Sequence, residues 1–295
     1  MKNSTLIIFI IFYQILFLSK GFSNEIEFNA SEIEITNNQN LTVANNAVAT
    51  IKDDGVIIEG VKIEYFKDRS LIIVYNGKIS KIDNSLTINS DIFEYFIDEG
   101  KLDFVNNVYI KDKKNNLIIY SDKINYDINN QIIFGQGNSK IIDEFNNTYD
   151  VSQFEYSAKN RIIKLSNTKV FDKNKNTIDL EIAYLDLIKK ELVAKDIGLN
   201  FKISENSENE PRLKGRSLVS DENNTIVKKG TFTFCKKREK CPPWEMRADE
   251  IKHDKNKKII YYKNASLKVY DQKVFYFPKF FHPDPTVKRQ TGFLI

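Results

Sequence analysis

Residues 121–143, SDKINYDINNQIIFGQGNSKIID, form a unit from which the fold of the chain can be predicted. Ile124 and Tyr126 alternate with polar residues, which is the pattern of a strand with one apolar face. An Asn-Asn pair at 129–130 predicts a turn. A second apolar run follows, is interrupted near Gly137, and ends in Ile-Ile-Asp. The unit therefore predicts a short strand, a turn and a longer strand that bends.

The same unit recurs along most of the chain. An apolar residue marks each copy, and successive markers are 28 to 36 residues apart. The markers are Ile33, Ile63, Phe93, Ile124, Phe154, Ile182 (or Ala183), Leu218 and Ile251. In five copies a tyrosine follows two residues later: Tyr65, Tyr95, Tyr126, Tyr156 and Tyr184. Because one two-strand unit cannot bury its apolar face alone, this period predicts stacked rungs of about 30 residues that share one core.

A bend is predicted near the middle of the second strand of most units. Asn or Gly occupies this place at Asn45-Asn46, Asn76-Gly77, Asn106-Asn107, Gly137-Asn138, Asn167 and Asn264. These residue types mark bends and bulges inside strands. A bend at the same place in successive rungs would fold the sheet over on itself. We therefore expect an elongated all-β stack with two walls, apolar inside and polar outside; an ordinary β-sandwich is the alternative.

Composition and the N-terminal sequence indicate where in the cell the protein is expected to function. The chain has 295 residues and a net charge of +4, which is too weak to indicate a nucleic-acid surface. Lys2, an apolar core at 6–18 and small residues before Asn24 predict a secretory signal peptide over residues 1–23. A retained membrane anchor is the alternative. The protein is thus expected to be exported.

The sequence contains no recognisable catalytic motif. A nucleophile elbow, a phosphate-binding glycine loop and an HExxH metal motif are all missing, so no enzymatic activity, cofactor or metal is predicted. Cys235 and Cys241 are candidates for a disulfide in an exported chain, either with each other or with partners elsewhere. His253 lies in a strand pattern and is interpreted as a rung residue.

The C-terminal stretch 274–295, VFYFPKFFHPDPTVKRQTGFLI, departs from the rung pattern. Together with the two cysteines, the Pro243-x-Glu-x-x-Ala248 segment and the signal peptide, it resembles the LptD family of outer-membrane lipopolysaccharide-assembly proteins. The resemblance implies an OstA-like, LptA-like periplasmic β-jellyroll over residues 24–270. It also implies that 271–295 is a linker to an outer-membrane β-barrel that this chain does not contain, and that the jellyroll cysteines bond to cysteines of the barrel.

This resemblance implies a function in lipopolysaccharide transport and assembly at the periplasmic face of the outer membrane of a Gram-negative bacterium. The implied partners are lipopolysaccharide, an LptA-like bridge protein that pairs with the free edge of the first rung, and the lipoprotein LptE if the barrel exists. Two alternatives remain open: a stand-alone periplasmic bridge-type lipid-binding protein, and a structural β-solenoid with a filled core.

Stacked rungs of this kind would enclose an apolar trough, and an open seam along its side would admit acyl chains while sugars stay in water. Each buried CH₂ group contributes roughly 0.8 kcal/mol, so an acyl chain would be held at any rung. The predicted lipid-contacting residues are Ile33, Ile63, Tyr65, Phe93, Tyr95, Ile124, Tyr126, Phe154, Tyr156, Ile182, Leu218 and Ile251. A slip of one residue in register would turn any of them outward.

Overall fold

The computed structural model describes residues 26–36, 38–172, 176–201, 210–235 and 242–287. These residues form eighteen strands and two short 3₁₀ turns, at Lys67–Arg69 and Ile97–Glu99. The strands are β1 Ile26–Asn29, β2 Glu32–Thr36, β3 Leu41–Ile51, β4 Val56–Phe66, β5 Leu71–Lys81, β6 Leu86–Phe96, β7 Lys101–Asp112, β8 Leu117–Asp127, β9 Ile132–Ile142, β10 Thr148–Ser157, β11 Ile162–Phe171, β12 Thr177–Asp186, β13 Glu191–Asn200, β14 Glu210–Ser220, β15 Asn224–Cys235, β16 Trp244–Asp254, β17 Ile259–Val269 and β18 Gln272–Pro283.

All strands belong to one antiparallel sheet. From β3 to β18 each strand pairs with the next one in the chain. The two short strands β1 and β2 both pair with β3, one with each half of it. The predicted all-β stack of two-strand rungs is confirmed, and one continuous meander excludes the ordinary sandwich.

The predicted mid-strand bends are also confirmed. Every odd-numbered strand from β3 to β17 has a backbone position with positive φ near its middle. These positions are Asn46, Asn76, Asn106 with Asn107, Gly137, Asn167, Asp196, Lys229 and Asn264. The sequence pattern missed the bends at Asp196 and Lys229, because Lys in particular is not a residue type that marks a bend. The sheet therefore bends along one line that crosses all its full-length strands.

The alternation of buried residues changes phase at this bend. In β4, Val56 and Ile58 are buried before the bend and Ile63 after it. Side chains of a regular strand alternate between two faces, so the change of phase keeps the apolar residues of both halves on the inner side of the fold. The result is two walls that enclose one apolar core, with polar residues outside.

The structure differs from the sequence pattern at two places. Ile182 is 41% exposed, whereas Ala183, the alternative marker of this unit, is fully buried in the same strand, β12. The spacing from the marker Phe154 to Ile182 is two residues shorter than the usual spacing between markers. Aligning Tyr184 with the other tyrosines selects Ile182 as the inward residue, but Tyr184 is itself exposed. In addition, the sheet does not end at residue 270, since β18 pairs with β17 over Gln272–Pro283.

Several predictions lie outside the described residues. These are the signal peptide at 1–23, Cys241, most of the polar insertion at 204–211 and the C-terminal end at 288–295. Cys235 is described: it is buried at the end of β15 and is a free thiol among the described residues.

Candidate functional site

The inner face of one wall carries a continuous apolar row that crosses the sheet from edge to edge. We call it the marker row, because it contains the repeat markers on the even-numbered strands. Its members pair directly across neighbouring strands, in the order Ile33, Ala44, Ile63, Val74, Phe93, Phe104, Ile124, Gly135, Phe154, Leu165, Ala183, Ala194, Leu218, Val227, Ile251, Tyr262 and Phe280. Directly opposed residues of paired strands point to the same face, so the row is one unbroken strip.

Most of the predicted lipid-contacting residues lie on this inner face. Nine of them are at most 4% exposed: Ile63, Phe93, Tyr95, Ile124, Tyr126, Phe154, Tyr156, Leu218 and Ile251. Tyr65 is half-buried against the core. Ile33 pairs with the fully buried Ala44 and so points inward, but it is 47% exposed because β2 is an edge strand. Ile182 points outward, and Ala183 takes its place in the row.

The opposite wall carries a second apolar row that the markers did not include. Its members pair in the order Phe28, Ala49, Ile58, Ile79, Ile88, Ile110, Ile119, Ile141, Tyr149, Val170, Ile178, Leu199, Leu213, Phe232, Met246, Leu267 and Phe275. The alternating apolar residues just before the closing Asp of many units are the sequence signal that would have found it. The two rows face each other across the core.

The last strand, β18, exposes apolar side chains at the far end of these rows. Phe275, which closes the second row, is 61% exposed, and Phe280 is only partly buried at the end of the marker row. At the other end, Ile33 and Ile35 of β2 are exposed. The interior is therefore filled in the middle of the sheet and reaches solvent at both of its edges.

Between the turn after β3 and the turn after β12, polar contacts close the seam opposite the bend, contrary to the open side expected from the sequence. The hydroxyl of Tyr95, on β6, donates a hydrogen bond to the carboxylate of Asp54, in the turn after β3. The hydroxyl of Tyr156, on β10, donates to Asp112, at the end of β7. In each pair the two residues lie on opposite rims of the sheet, and their strands are not neighbours. These contacts form only because the bend brings the two rims of the sheet together.

A further pair of contacts crosses the same seam. Asn115 Nδ2 donates to the Tyr156 hydroxyl at 2.7 Å, and Lys190 Nζ lies 3.0 Å from a carboxylate oxygen of Glu144. Burial, followed by the hydrogen bonds to Asp54 and Asp112, raises the pKa of Tyr95 and of Tyr156 well above the ordinary range. Both phenols are thus neutral hydrogen-bond donors at neutral pH.

Tyr126 occupies the same position on β8, between these two tyrosines, and is different. It is 4% exposed, and within the described part of the chain its hydroxyl has no hydrogen-bond partner. Burial, with smaller contributions from the charges of Asp127 and Asp112, raises the pKa of Tyr126 to about 12. The repeat thus places three tyrosines in equivalent positions, of which two are paired across the seam.

The C-terminal end of the interior contains a small polar cluster. Tyr262 and His282 lie 2.7 Å apart through Oη and Nε2, and the pKa of His282 is lowered, mainly by burial. His253 Nε2 lies 2.9 Å from Asp284 Oδ2, and its ring packs against Phe201 with centroids 5.7 Å apart. His253 is thus a packed rung residue, as its strand pattern indicates.

Asp284 gives a first testable prediction. Burial alone would raise its pKa, but hydrogen bonds from His253 and Thr286 outweigh burial and hold the pKa at about 2. A carboxyl whose pKa falls on folding stabilises the protein above its unfolded pKa, and that contribution is lost as the pH falls from about 4 to about 2. Asp284→Asn is therefore expected to cost about 2 kcal/mol at pH 7 and to flatten the pH dependence of stability in this window.

Urea unfolding, followed by fluorescence at several pH values between 7 and 2.5, measures this effect. Asp68→Asn, at an exposed turn residue, serves as the control and is expected to leave the unfolding free energy unchanged. An Asp284→Asn profile that parallels the wild-type profile over the acid range would show that this contact does not contribute to stability.

No protein-family model and no curated protein matches this chain. Among solved structures, the chain is similar to LptH of Pseudomonas aeruginosa, described as the LptA-homologous periplasmic component of the lipopolysaccharide transport device. The identity is 14%, the TM-score is 0.35, and the match covers 38% of this chain and 82% of LptH.

The described residues include no helix with the length and apolar character needed to cross a membrane.

Proposed function

We propose that this protein is a lipid carrier that functions in lipopolysaccharide transport and accommodates acyl chains between its two walls. The observation that carries the proposal is the pair of apolar rows. Each crosses every full-length strand without a charged residue; the marker row ends in the exposed Ile33 at one edge of the sheet, and the second row ends in the exposed Phe275 at the other. A protein that needed only a core would gain nothing from leaving Ile33 and Phe275 exposed at the ends of these rows.

The energetics of the rows suit movement of a lipid along the protein. Each methylene group of an acyl chain transferred from water to the interior contributes roughly 0.8 kcal/mol. Because successive rungs present similar apolar side chains, the free energy of a chain changes little from one rung to the next. Transport of this kind requires no covalent chemistry.

A filled interior supports a second candidate. Phe93, Phe104, Phe154 and Phe232 are fully buried, so the walls must separate or the side chains must rearrange before a chain can enter. A structural β-solenoid would have the same filled interior. The exposed apolar ends favour the carrier, because a structural stack is expected to end in polar caps.

The resemblance of the C-terminal segment supports a more specific form of the proposal. The chain would be exported by its signal peptide and would act as the periplasmic jellyroll of an LptD-type protein, with residues beyond β18 leading to a barrel and its LptE partner. The outer edge of β1 and β2 would pair with an LptA-like jellyroll and extend both apolar rows into it. A stand-alone bridge protein would use the same edge.

Photo-crosslinking at the exposed ends of the rows tests the carrier. A benzophenone-bearing phenylalanine is introduced at Ile33 or Phe275, which point inward, and as a matched control at the adjacent outward positions, Glu34 or Tyr276. After incubation with purified lipopolysaccharide and irradiation, adducts are expected from the inward positions and are expected to be at least about tenfold weaker from the outward ones.

Equal adducts from both faces would indicate surface adsorption and contradict the proposal. Folded protein that gives no adduct at either inward position would support the structural β-solenoid instead. Circular dichroism of each variant shows whether the sheet is intact.

A further inference from the structure

We infer that the hydroxyl of Tyr126 is a binding group for the carbonyl oxygen of an acyl ester or amide, and that the seam beside it is where an acyl chain enters the interior. This inference rests on the proposed carrier function. It goes beyond that function by naming one polar contact and one place along the seam.

The first step is the geometry of the seam. Tyr95 and Tyr156 donate hydrogen bonds to carboxylates of the opposite rim, and the residues of each pair are separated by 41 and 44 positions in the chain. In both cases the acceptor lies at the C-terminal end of the strand three before that of the tyrosine, or in the turn that follows it: β3 for Tyr95 and β7 for Tyr156. The same offset places the turn between β5 and β6, residues 82–85, opposite Tyr126.

That turn offers Tyr126 no partner. Its carboxylate, Asp83, is exposed and accepts a hydrogen bond from the backbone N–H of Ser85 at 2.9 Å. Tyr126 lies on β8, between β6 with Tyr95 and β10 with Tyr156, so its phenol lies along the seam between the two closed pairs. The seam is thus held on both sides of Tyr126 and is not held at it.

The second step is the cost of this arrangement. A buried hydroxyl without a partner is unfavourable, and such groups in native proteins are rare. The ring of Tyr126 packs between Leu102 and Ile133 on the neighbouring strands, so a phenylalanine would fill the same space without that cost. A role in binding explains why a polar atom occupies this place. A neutral phenol is a donor, and the acceptor that an acyl chain carries is its carbonyl oxygen.

The third step is the match between the surroundings and an acyl chain. Ile124 and Phe104 of the marker row lie just inside Tyr126 and are fully buried. A chain whose carbonyl accepted a hydrogen bond at Tyr126 would have its methylene groups directed along this apolar surface, and its polar head would remain at the rim. The contact therefore fits the junction between head group and acyl chain.

Three matched substitutions, Tyr126→Phe, Tyr95→Phe and Tyr156→Phe, test the inference. They remove one oxygen each from equivalent positions of the repeat. Binding to the full chain is measured by calorimetry with two monomeric short-chain lipids, diheptanoylphosphatidylcholine and its diheptyl ether analogue, which lacks the carbonyls. Tyr126→Phe is expected to weaken binding of the ester lipid roughly five- to tenfold and to leave the ether lipid unaffected.

The other two variants are expected to keep or increase ester binding, because their hydroxyls are already paired and their loss loosens the seam. Without lipid, the melting temperature should rise by about 2–4 °C for Tyr126→Phe and fall for the other two. Lipid A is titrated in parallel. If Tyr126→Phe weakens the binding of only one of the two lipids, lipid A or the phospholipid, that lipid is the source of the acyl carbonyl that the site selects.

Equal binding of both the ester lipid and lipid A by wild type and Tyr126→Phe would overturn this inference while leaving the carrier function intact. An equal loss for the ester and ether lipids would also overturn it, because the effect would then be one of packing. Wild-type protein that binds none of the lipids would contradict the carrier function itself, which separates the two failures.

Discussion

Replacing Gly135 with valine is expected to destabilise the protein by about 3 kcal/mol or more, and so to unfold a large part of it at 37 °C. Gly135 lies in the marker row between Ile124 and Phe154. A Cβ atom at this position would be 2.0 Å from Cε1 of Phe154 and 2.6 Å from its Cζ. Since the Phe154 ring is fully enclosed, it cannot move away without displacing the opposite wall.

Gly198→Val provides the matched control. Gly198 also lies in a strand, β13, but a Cβ atom there would have no neighbour within 4 Å, and no effect beyond about 0.5 kcal/mol is expected. Phe154→Ala alone should cost about 3–5 kcal/mol. The double variant Gly135→Val with Phe154→Ala should cost clearly less than the sum, because each change provides the space or volume that the other needs.

Urea unfolding of the four variants, followed by circular dichroism, gives these free energies. Additive effects of Gly135→Val and Phe154→Ala would contradict the close packing of the two residues. So would a Gly135→Val variant as stable as the Gly198→Val control.

Introducing a charge at two adjacent positions of β12 is expected to have very unequal effects. Ala183 is fully buried in the marker row, so Ala183→Asp would place an unpaired carboxylate in the apolar core and should cost about 3–5 kcal/mol. Ile182 is 41% exposed on the outer face, and Ile182→Asp should stay within about 0.5 kcal/mol of wild type.

The comparison is informative because the periodic pattern favours Ile182 as the inward residue. Chemical unfolding of both variants decides the matter, and Ile124→Asp serves as a positive control in a rung where pattern and structure agree. If Ile182→Asp proved the more damaging of the two, the register of β12 would be one residue away from that described here.

The sequence by itself determined the fold class. Regular spacing of Ile, Phe and Tyr specifies two-strand rungs, and repeated Asn and Gly specify the bend, because both signals are local: alternation follows from the strand geometry, and positive φ is accessible to few residue types. The same reasoning correctly placed Phe93, Ile124 and Phe154 inside. It also led to the expectation that the seam is open, and no local signal opposed that expectation.

Only the tertiary structure decided what happens between the walls. Tyr95, Tyr126 and Tyr156 are equivalent in sequence, yet two of them hold the seam closed and one has an unpaired hydroxyl. The difference depends on which turn residue of the opposite rim meets each phenol, and that residue is about 40 positions away. Such contacts are set by the angle of the bend and the stagger of the rims, which no local pattern encodes. For the same reason the phase of β12 and the inclusion of β18 in the sheet became evident only once neighbouring strands were paired.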